Sequence, residues 1–342
     1  MRFILPVVLS TFIGGVHAGT SDTDVLSTTN SSRSVYLEFK GSSAAFAQST
    51  KQLSGSISHY CEAPNNQSIQ EVRNSWHSAM LNWNRLQGFD RGPIEALEKN
   101  WSIQFWPDKK NTTGRKMQNL VNENKPISVD DIANSSVTVQ GLGAIEWLYF
   151  EPKSPLSSDG VTTCQLASVI SENLDNNATF IAQAWNVNPW VELDEQEWTQ
   201  EYVSLLSNQL DFSMKKLSRP LAKIGQPRPY FSESWRSHSS LDNLQSNVES
   251  FKAVYFANGN GMHAALINHG HADLATRIEN QINLLAENWP EESSLFRSLQ
   301  SKDGYREILS VYNKFEYLKY LVSEELAVNL GVVVGFNSTD GD

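Results

Sequence analysis

Apolar residues recur at helical spacing along most of this chain, and the strict alternation that marks a half-buried strand is scarce. Val35, Phe39, Phe46, Leu53, Ile57 and Tyr60 follow one another at intervals of three, four and seven, so a helix over residues 34–61 puts them on one face. Trp76, Met80 and Trp83 repeat the pattern after a capping-box start at Ser68 and Glu71, and Gly88 ends the run. Cys164, Ile170, Leu174, Ala178, Ile181 and Trp185 do the same over residues 161–187. Further helices are expected over 112–121, 136–150, 195–218, 239–257, 261–288 and 304–329, while 88–111 reads as a long, partly ordered connection. Long helices with short connections pack as antiparallel bundles. At 342 residues the chain exceeds one ordinary core, so the expectation is all-α, with two antiparallel helical bundles. The tract NVNPWVELDEQEW (186–198) interrupts the pattern and divides a first bundle, 34–190, from a second, 191–342. A short echo, Ser75-Trp76-His77-Ser78 against Ser234-Trp235-Arg236-Ser237, fits internal similarity between the halves.

The N-terminus, MRFILPVVLSTFIGGVHAGTSD, has a basic Arg2, an apolar run from Phe3 to Val16 and a small-residue site at Val16-His17-Ala18. This is the pattern of a secretory signal peptide, 1–18, cleaved near Ala18, followed by a Ser/Thr/Asp-rich flexible leader, 19–33. The expected location is periplasmic, free or held at the outer membrane by a partner, with no membrane span in the mature chain. In an oxidising compartment the two cysteines, Cys61 and Cys164, read as a disulfide rather than as reactive thiols or metal ligands. Their helices should then be neighbours. The net charge of −11 argues against nucleic acid or anionic membrane as a partner and is compatible with a cation.

Zinc-protease His-Glu-x-x-His, Gly-x-Ser-x-Gly and Walker patterns are all missing. His263, His269 and His271 with Asp273 form the one local histidine cluster, and Gly270 should break the helix there, leaving them solvated. The tract GLGAIEWLYF, 141–150, is different. Glu146 is one acid in an apolar run, so it lies either on an exposed stripe or buried with a partner, because an unpaired buried carboxylate is costly. Gly141 and Gly143 each cost a helix about 1 kcal/mol relative to alanine, a cost that accompanies close approach of another helix or a ligand. Trp106, in FWPDKK, either caps a cleft or pins a loop.

Four segments taken together, SWHSAMLNWNRLQGFDRGP (75–93), IQFWPDKKN (103–111), VQGLGAIEWLYF (139–150) and NLGVVVGFNSTDGD (329–342), resemble the imelysin-like family, with SESWRSHSSLDNL (232–244) in support. The family comprises exported bacterial proteins often found with iron-uptake genes. The resemblance implies two related helical bundles and a site in the cleft between them, around Gly-x-His-x-x-Glu. Here Gly141 and Glu146 match that motif, and the histidine position is Gly143. Founding members are described as metallopeptidases with His and Glu as suggested ligands, one helical turn apart. With Gly143 a single ligand remains, whereas zinc takes three or four, so others would have to come from Asp108, His77 or the second bundle.

The resemblance therefore implies the branch with Gly in place of the motif His, a non-catalytic binding or accessory protein in iron or other metal acquisition. Its expected cleft comprises Gly141, Gly143, Glu146, Trp76, Arg85, Trp106, Asp108, Arg115, Ser234 and Arg236. Glu146 is the candidate metal ligand, and Arg85, Arg115 and Arg236 are candidates for holding an anionic chelate. Iron or another divalent metal, as ion or chelate, is the candidate ligand, with other envelope or iron-transport proteins as candidate partners. The rival readings are a metallopeptidase with a displaced ligand set and an envelope scaffold without a small ligand.

Overall fold

A computed structural model describes residues 28–123, 125–157 and 160–332 of the chain. The signal peptide, most of the leader and the last ten residues lie outside the described residues. Nine helices of ten residues or more carry the described fold: α1 (Thr28–Glu62), α2 (Asn66–Asn84), α3 (Thr112–Glu123), α4 (Gly141–Phe150), α5 (Gly160–Ala184), α6 (Glu195–Leu221), α7 (Ser240–Phe256), α8 (Ala272–Glu287) and α9 (Lys302–Tyr320). Among the described residues there is no strand, only an isolated bridge between Lys223 and Gln226. The architecture is all-α, as the apolar spacing predicts.

The helix ends depart from the sequence expectation for identifiable reasons. α1 reaches into the stretch expected to be a leader, because buried Ser31 accepts a 3.2 Å hydrogen bond from the Trp198 indole and ties the first turns down. α2 starts at an Asn65–Ser68 capping box rather than at Ser68–Glu71. Asn65 Oδ1 accepts from the N–H groups of Gln67 and Ser68, and Ser68 Oγ accepts from the Asn65 N–H. Glu71 instead bonds Gln67 and His59. The 261–288 stretch divides at Gly270, φ +84°, into Met262–Asn268 and α8, the break expected at that glycine. The connection after Gly88 holds two one-turn helices, Ile94–Leu97 and Asn100–Ile103.

α1, α2 and α5 form the first bundle, with α4 laid against α2 and α5. The Cys61–Cys164 disulfide joins α1 to α5, as expected. In the second group α6 packs against α7 and α9, and α8 against α9. The tract between the groups is packed rather than free. Trp185 stacks on Phe39 at 5.0 Å, and ring contacts run on through Trp190 and Trp198 to Tyr202. No described helix is long and apolar enough to cross a membrane.

The two halves dock where α2 ends. The last carbonyls of a helix have no partner within it. Here Leu81, Asn84 and Arg85 carbonyls accept from Ser246 Oγ (2.8 Å), Asn247 Nδ2 (2.6 Å) and Ser250 Oγ (2.6 Å), all on α7. One half thus caps a helix of the other.

A candidate site between the two halves

α4 begins at Gly141 with a positive φ of +64°, a conformation suited to glycine. Its amide plane lies against the carbonyls of Ser102 and Ile103, where a Cβ would overlap both oxygens. That approach seats the helix so that Leu142, Gly143 and Glu146, one turn apart on one face, look toward the second half. Trp76 Nε1 donates to the Leu142 carbonyl (2.9 Å) and holds the same turn from α2.

Glu146 is buried, with a partner. Its Oε1 accepts from the backbone N–H of Arg236 (3.2 Å), the backbone N–H of Ser237 (2.9 Å) and Ser237 Oγ (3.0 Å). Oε2 receives no hydrogen bond among the described residues, which leaves it for the small cavity that Glu146 lines. This cavity, about 40 Å³, is walled by Trp76, Gly143, Trp106, Tyr230, Trp235 and Gln104, among others. It has room for a few waters or one small functional group.

The donors come from an irregular segment, Ser232–Ser239, that enters α7. Ser234 (φ 48°) and His238 (φ 60°) are left-handed there. Side chains pin both: Asn243 donates to Ser234 Oγ (3.0 Å), and His238 Nδ1 meets Ser294 Oγ (3.2 Å). Arg236 presents its backbone to Glu146 and spends its guanidinium elsewhere, on Glu151 (3.0 Å) and Asn111 (2.5 Å) and over the Trp235 ring (4.2 Å). Gly114 makes room for that contact, since a Cβ there would meet Asn111 Oδ1 at 2.5 Å and the guanidinium at 3.0 Å.

Burial pushes the Glu146 carboxyl up. The Arg236 charge and the three hydrogen bonds pull it back in part. Between the ordinary value near 4.5 and the raised one, the folded state binds more protons than the unfolded state, so this group's contribution to stability falls as pH rises through that window. Glu146→Gln is neutral throughout. The stability of the wild type minus that of Glu146→Gln should therefore be greatest below the window and decline across it, measured by denaturant unfolding at a series of pH values. A difference that rose with pH would show that the hydrogen bonds outweigh burial.

The structure brings Gly141, Gly143, Glu146, Trp76, Trp106, Asp108, Ser234 and Arg236 to this region and leaves two expected members outside it. Arg85 follows the end of α2 and meets Glu249 at 3.7 Å. Arg115 is exposed on α3, facing away because Thr113, Gly114 and Met117 take the buried side. Asp108 spends both oxygens on α3, accepting from the N–H groups of Thr112 (2.6 Å) and Thr113 (2.9 Å). Trp106 serves both readings of its loop, since it lines the cavity and its ring meets Phe212 of the second half. His77 packs edge-on against Trp76 and Phe150 instead of joining Glu146. Of the histidine cluster, His263 meets Glu279 and His269 its own helix carbonyl.

Among the described residues no three His, Cys, Asp or Glu side chains converge on a point. A zinc-type ion held by the motif positions does not fit this donor set. Gly143 has no side chain, Asp108 is committed to α3, and Glu146 offers one oxygen.

Sequence reasoning missed a second charged group beside the cavity. Lys216 on α6 and Glu233, both buried, pair at 2.8 Å. Lys216 Nζ also donates to Asn84 Oδ1 (2.5 Å) and Asn247 Oδ1 (2.7 Å), and Glu233 Oε1 accepts from Gln104 (3.0 Å) and Gln87 (3.3 Å). The ammonium sits by the C-terminal end of α2, where the helix dipole favours a cation. Glu233 belongs to the segment that holds Glu146, so this pair anchors that segment from the other side.

The comparisons with known proteins agree with this architecture. The chain is similar to an imelysin-like protein of Psychrobacter arcticum 273-4, solved by crystallography, with TM-score 0.76 and 17% identity over 91% of this chain and 97% of that one. It is also similar to a crystal structure of a "putative iron-regulated protein A precursor" from Parabacteroides distasonis ATCC 8503, with TM-score 0.62 and 14% identity over 86% of this chain and 95% of that one. At such identities the likeness shows the fold. No curated protein matches the sequence significantly. The family model Peptidase_M75, Imelysin, matches residues 42–322, which take in α4, the α2 cap and the Ser232–Ser239 segment, and the chain therefore belongs to the imelysin family.

Proposed function

We propose that this chain is an exported, non-catalytic binding or accessory protein of metal acquisition, with iron as the candidate cargo. The observation that carries the reading is the state of Glu146. One oxygen is held by three donors from the opposite half, and the other is left to a cavity at the junction of the halves. Such a carboxylate suits a cation that arrives with its own ligands, as a hydrated ion or a chelate, and needs from the protein one acceptor rather than a full coordination shell. The cavity admits one small polar group of that ligand, not the whole of it. The neighbour described as iron-regulated supports the choice of iron. The periplasm is the compartment that the signal-peptide pattern and the disulfide favour.

The test is to purify the mature protein, measure its metal content and titrate ferrous and ferric iron, zinc and ferric citrate against wild type and Glu146→Ala. Saturable binding of iron or its chelate that weakens in the variant is the expected result. If neither binds and Glu146→Ala loses only stability, the binding reading fails and an interaction scaffold replaces it. Protein cleavage that disappears with Glu146→Ala would restore the peptidase reading.

Gly143→His offers a sharper comparison. A Cβ at Gly143 meets nothing within 4 Å, so the backbone tolerates a side chain there, and the imidazole would occupy the cavity that Gly143 lines. The variant places an imidazole one turn before Glu146, and zinc affinity should rise by about tenfold or more in calorimetry. An unfolded variant, or one with unchanged zinc affinity, would show that the cavity does not admit a ligand at that position.

A further inference from the structure

A second, larger cavity of about 330 Å³ lies beside the first and shares only Gln104 and Trp106 with it. Its size is that of a small-molecule site. Its walls come from both halves: Trp83 at the end of α2, Trp101 and Trp106 on the connection before α3, and Phe212 on α6. Trp106 and Phe212 meet edge to face at 5.7 Å. Trp101 is half exposed, at 53%, with one ring neighbour, Phe105, at 5.8 Å.

The cavity is lined by two acids and two bases, Asp90, Asp211, Lys215 and Arg219, and they differ in whether they are paired. Lys215 lies within electrostatic reach of Asp90, and Asp211 is paired with Lys319. Arg219 has no such partner. Its guanidinium lies 5.7 Å from the Trp106 ring, its Nε is shut off from solvent without a hydrogen bond, and no carboxylate among the described residues pairs with it. Burial works against the Arg219 charge, which an anion entering the cavity would offset. A guanidinium beside a ring, with no carboxylate partner of its own, is the group that pairs with a planar carboxylate in two parallel hydrogen bonds. The aromatic walls match a flat ring.

We infer that this cavity binds a small organic anion consisting of a flat aromatic ring bearing a carboxylate, with Arg219 on the carboxylate and Trp101, Trp106 and Phe212 against the ring. The inference is independent of Glu146, which does not line the cavity.

The test is calorimetric titration of the mature protein with 2-naphthoate and with its neutral isostere 2-naphthamide. Wild type should bind 2-naphthoate saturably and one to one, and the amide about tenfold more weakly or worse. Arg219→Gln should weaken 2-naphthoate by about tenfold while keeping the wild-type melting temperature. Trp101→Ala, at the exposed rim, should weaken both compounds because it removes ring contact without touching the cation. Glu146→Gln should leave both affinities unchanged. The assignment is overturned if 2-naphthoate shows no saturable binding up to about 1 mM, if the amide binds equally well, if folded Arg219→Gln binds as wild type does, or if Glu146→Gln abolishes binding.

Discussion

Gly141→Ala is expected to destabilise the protein by about 3–5 kcal/mol, among the largest single-residue effects available in this fold. Two causes add. The backbone sits at φ +64°, where a Cβ is strained, and the Cβ would overlap the carbonyl oxygens of Ser102 and Ile103. Neither oxygen belongs to a flexible side-chain tip, so relief requires the one-turn helix Asn100–Ile103 or the start of α4 to move. Moving α4 would break the Trp76–Leu142 bond and draw Glu146 away from Arg236 and Ser237. Gly143→Ala, two residues on, is the control. Its Cβ meets nothing, and helix propensity alone should make it neutral or stabilising by up to about 1 kcal/mol. Equal losses in the two variants, measured by denaturant unfolding, would show that the glycines matter only for helix propensity.

Lys216→Met should cost a similar amount, about 3–5 kcal/mol, by leaving Glu233 charged and buried without its partner. The aliphatic stem is replaced at similar volume, and loss of the ammonium also leaves the acceptors Asn84 Oδ1 and Asn247 Oδ1 without their donor. Lys216→Met combined with Glu233→Gln removes the stranded charge, and the double variant should recover about half of the loss. A double variant no more stable than the single one would show that the ion pair contributes nothing beyond its hydrogen bonds. A second readout follows from the anchoring of the Ser232–Ser239 segment. If Glu233 holds it in place, the pH-dependent difference between wild type and Glu146→Gln should shrink in the Lys216→Met background.

Glu146 and Lys216 also show how unevenly the site could be read in advance. Glu146 stood out because it interrupts an apolar run, where any acid must be exposed or partnered. Lys216 follows Lys215 on α6, and nothing in the local sequence distinguishes the two. The two differ in exposure only because α7 and the end of α2 close over one of them. Ser237 was part of the Ser-Trp-Arg-Ser echo, yet nothing local indicates that it donates to an acid 91 residues away. Arg85 and Arg115 were grouped with Arg236 by residue type, and the orientation of their own elements separates them. The Asn65 cap was hidden because Ser68-x-x-Glu71 offers an equally good local pattern. In the structure Glu71 meets Gln67 and His59, at the end of α1, and the cap forms at Asn65 and Ser68.

By itself the amino-acid sequence determined the helices, their buried faces and the pairing of Cys61 with Cys164. Apolar spacing of three and four residues sets which side of a helix leaves water, and that is a local property of the chain. The tertiary structure alone decided where the unpaired polar groups go. The carbonyls at the end of α2, the carboxylate of Glu146 and the ammonium of Lys216 each find partners from the opposite half. Hydrogen bonds need placement to a few tenths of an ångström, and burial apolar enough to shift a carboxyl exists only once both halves have closed. The site between the halves arises from that docking rather than from any one segment.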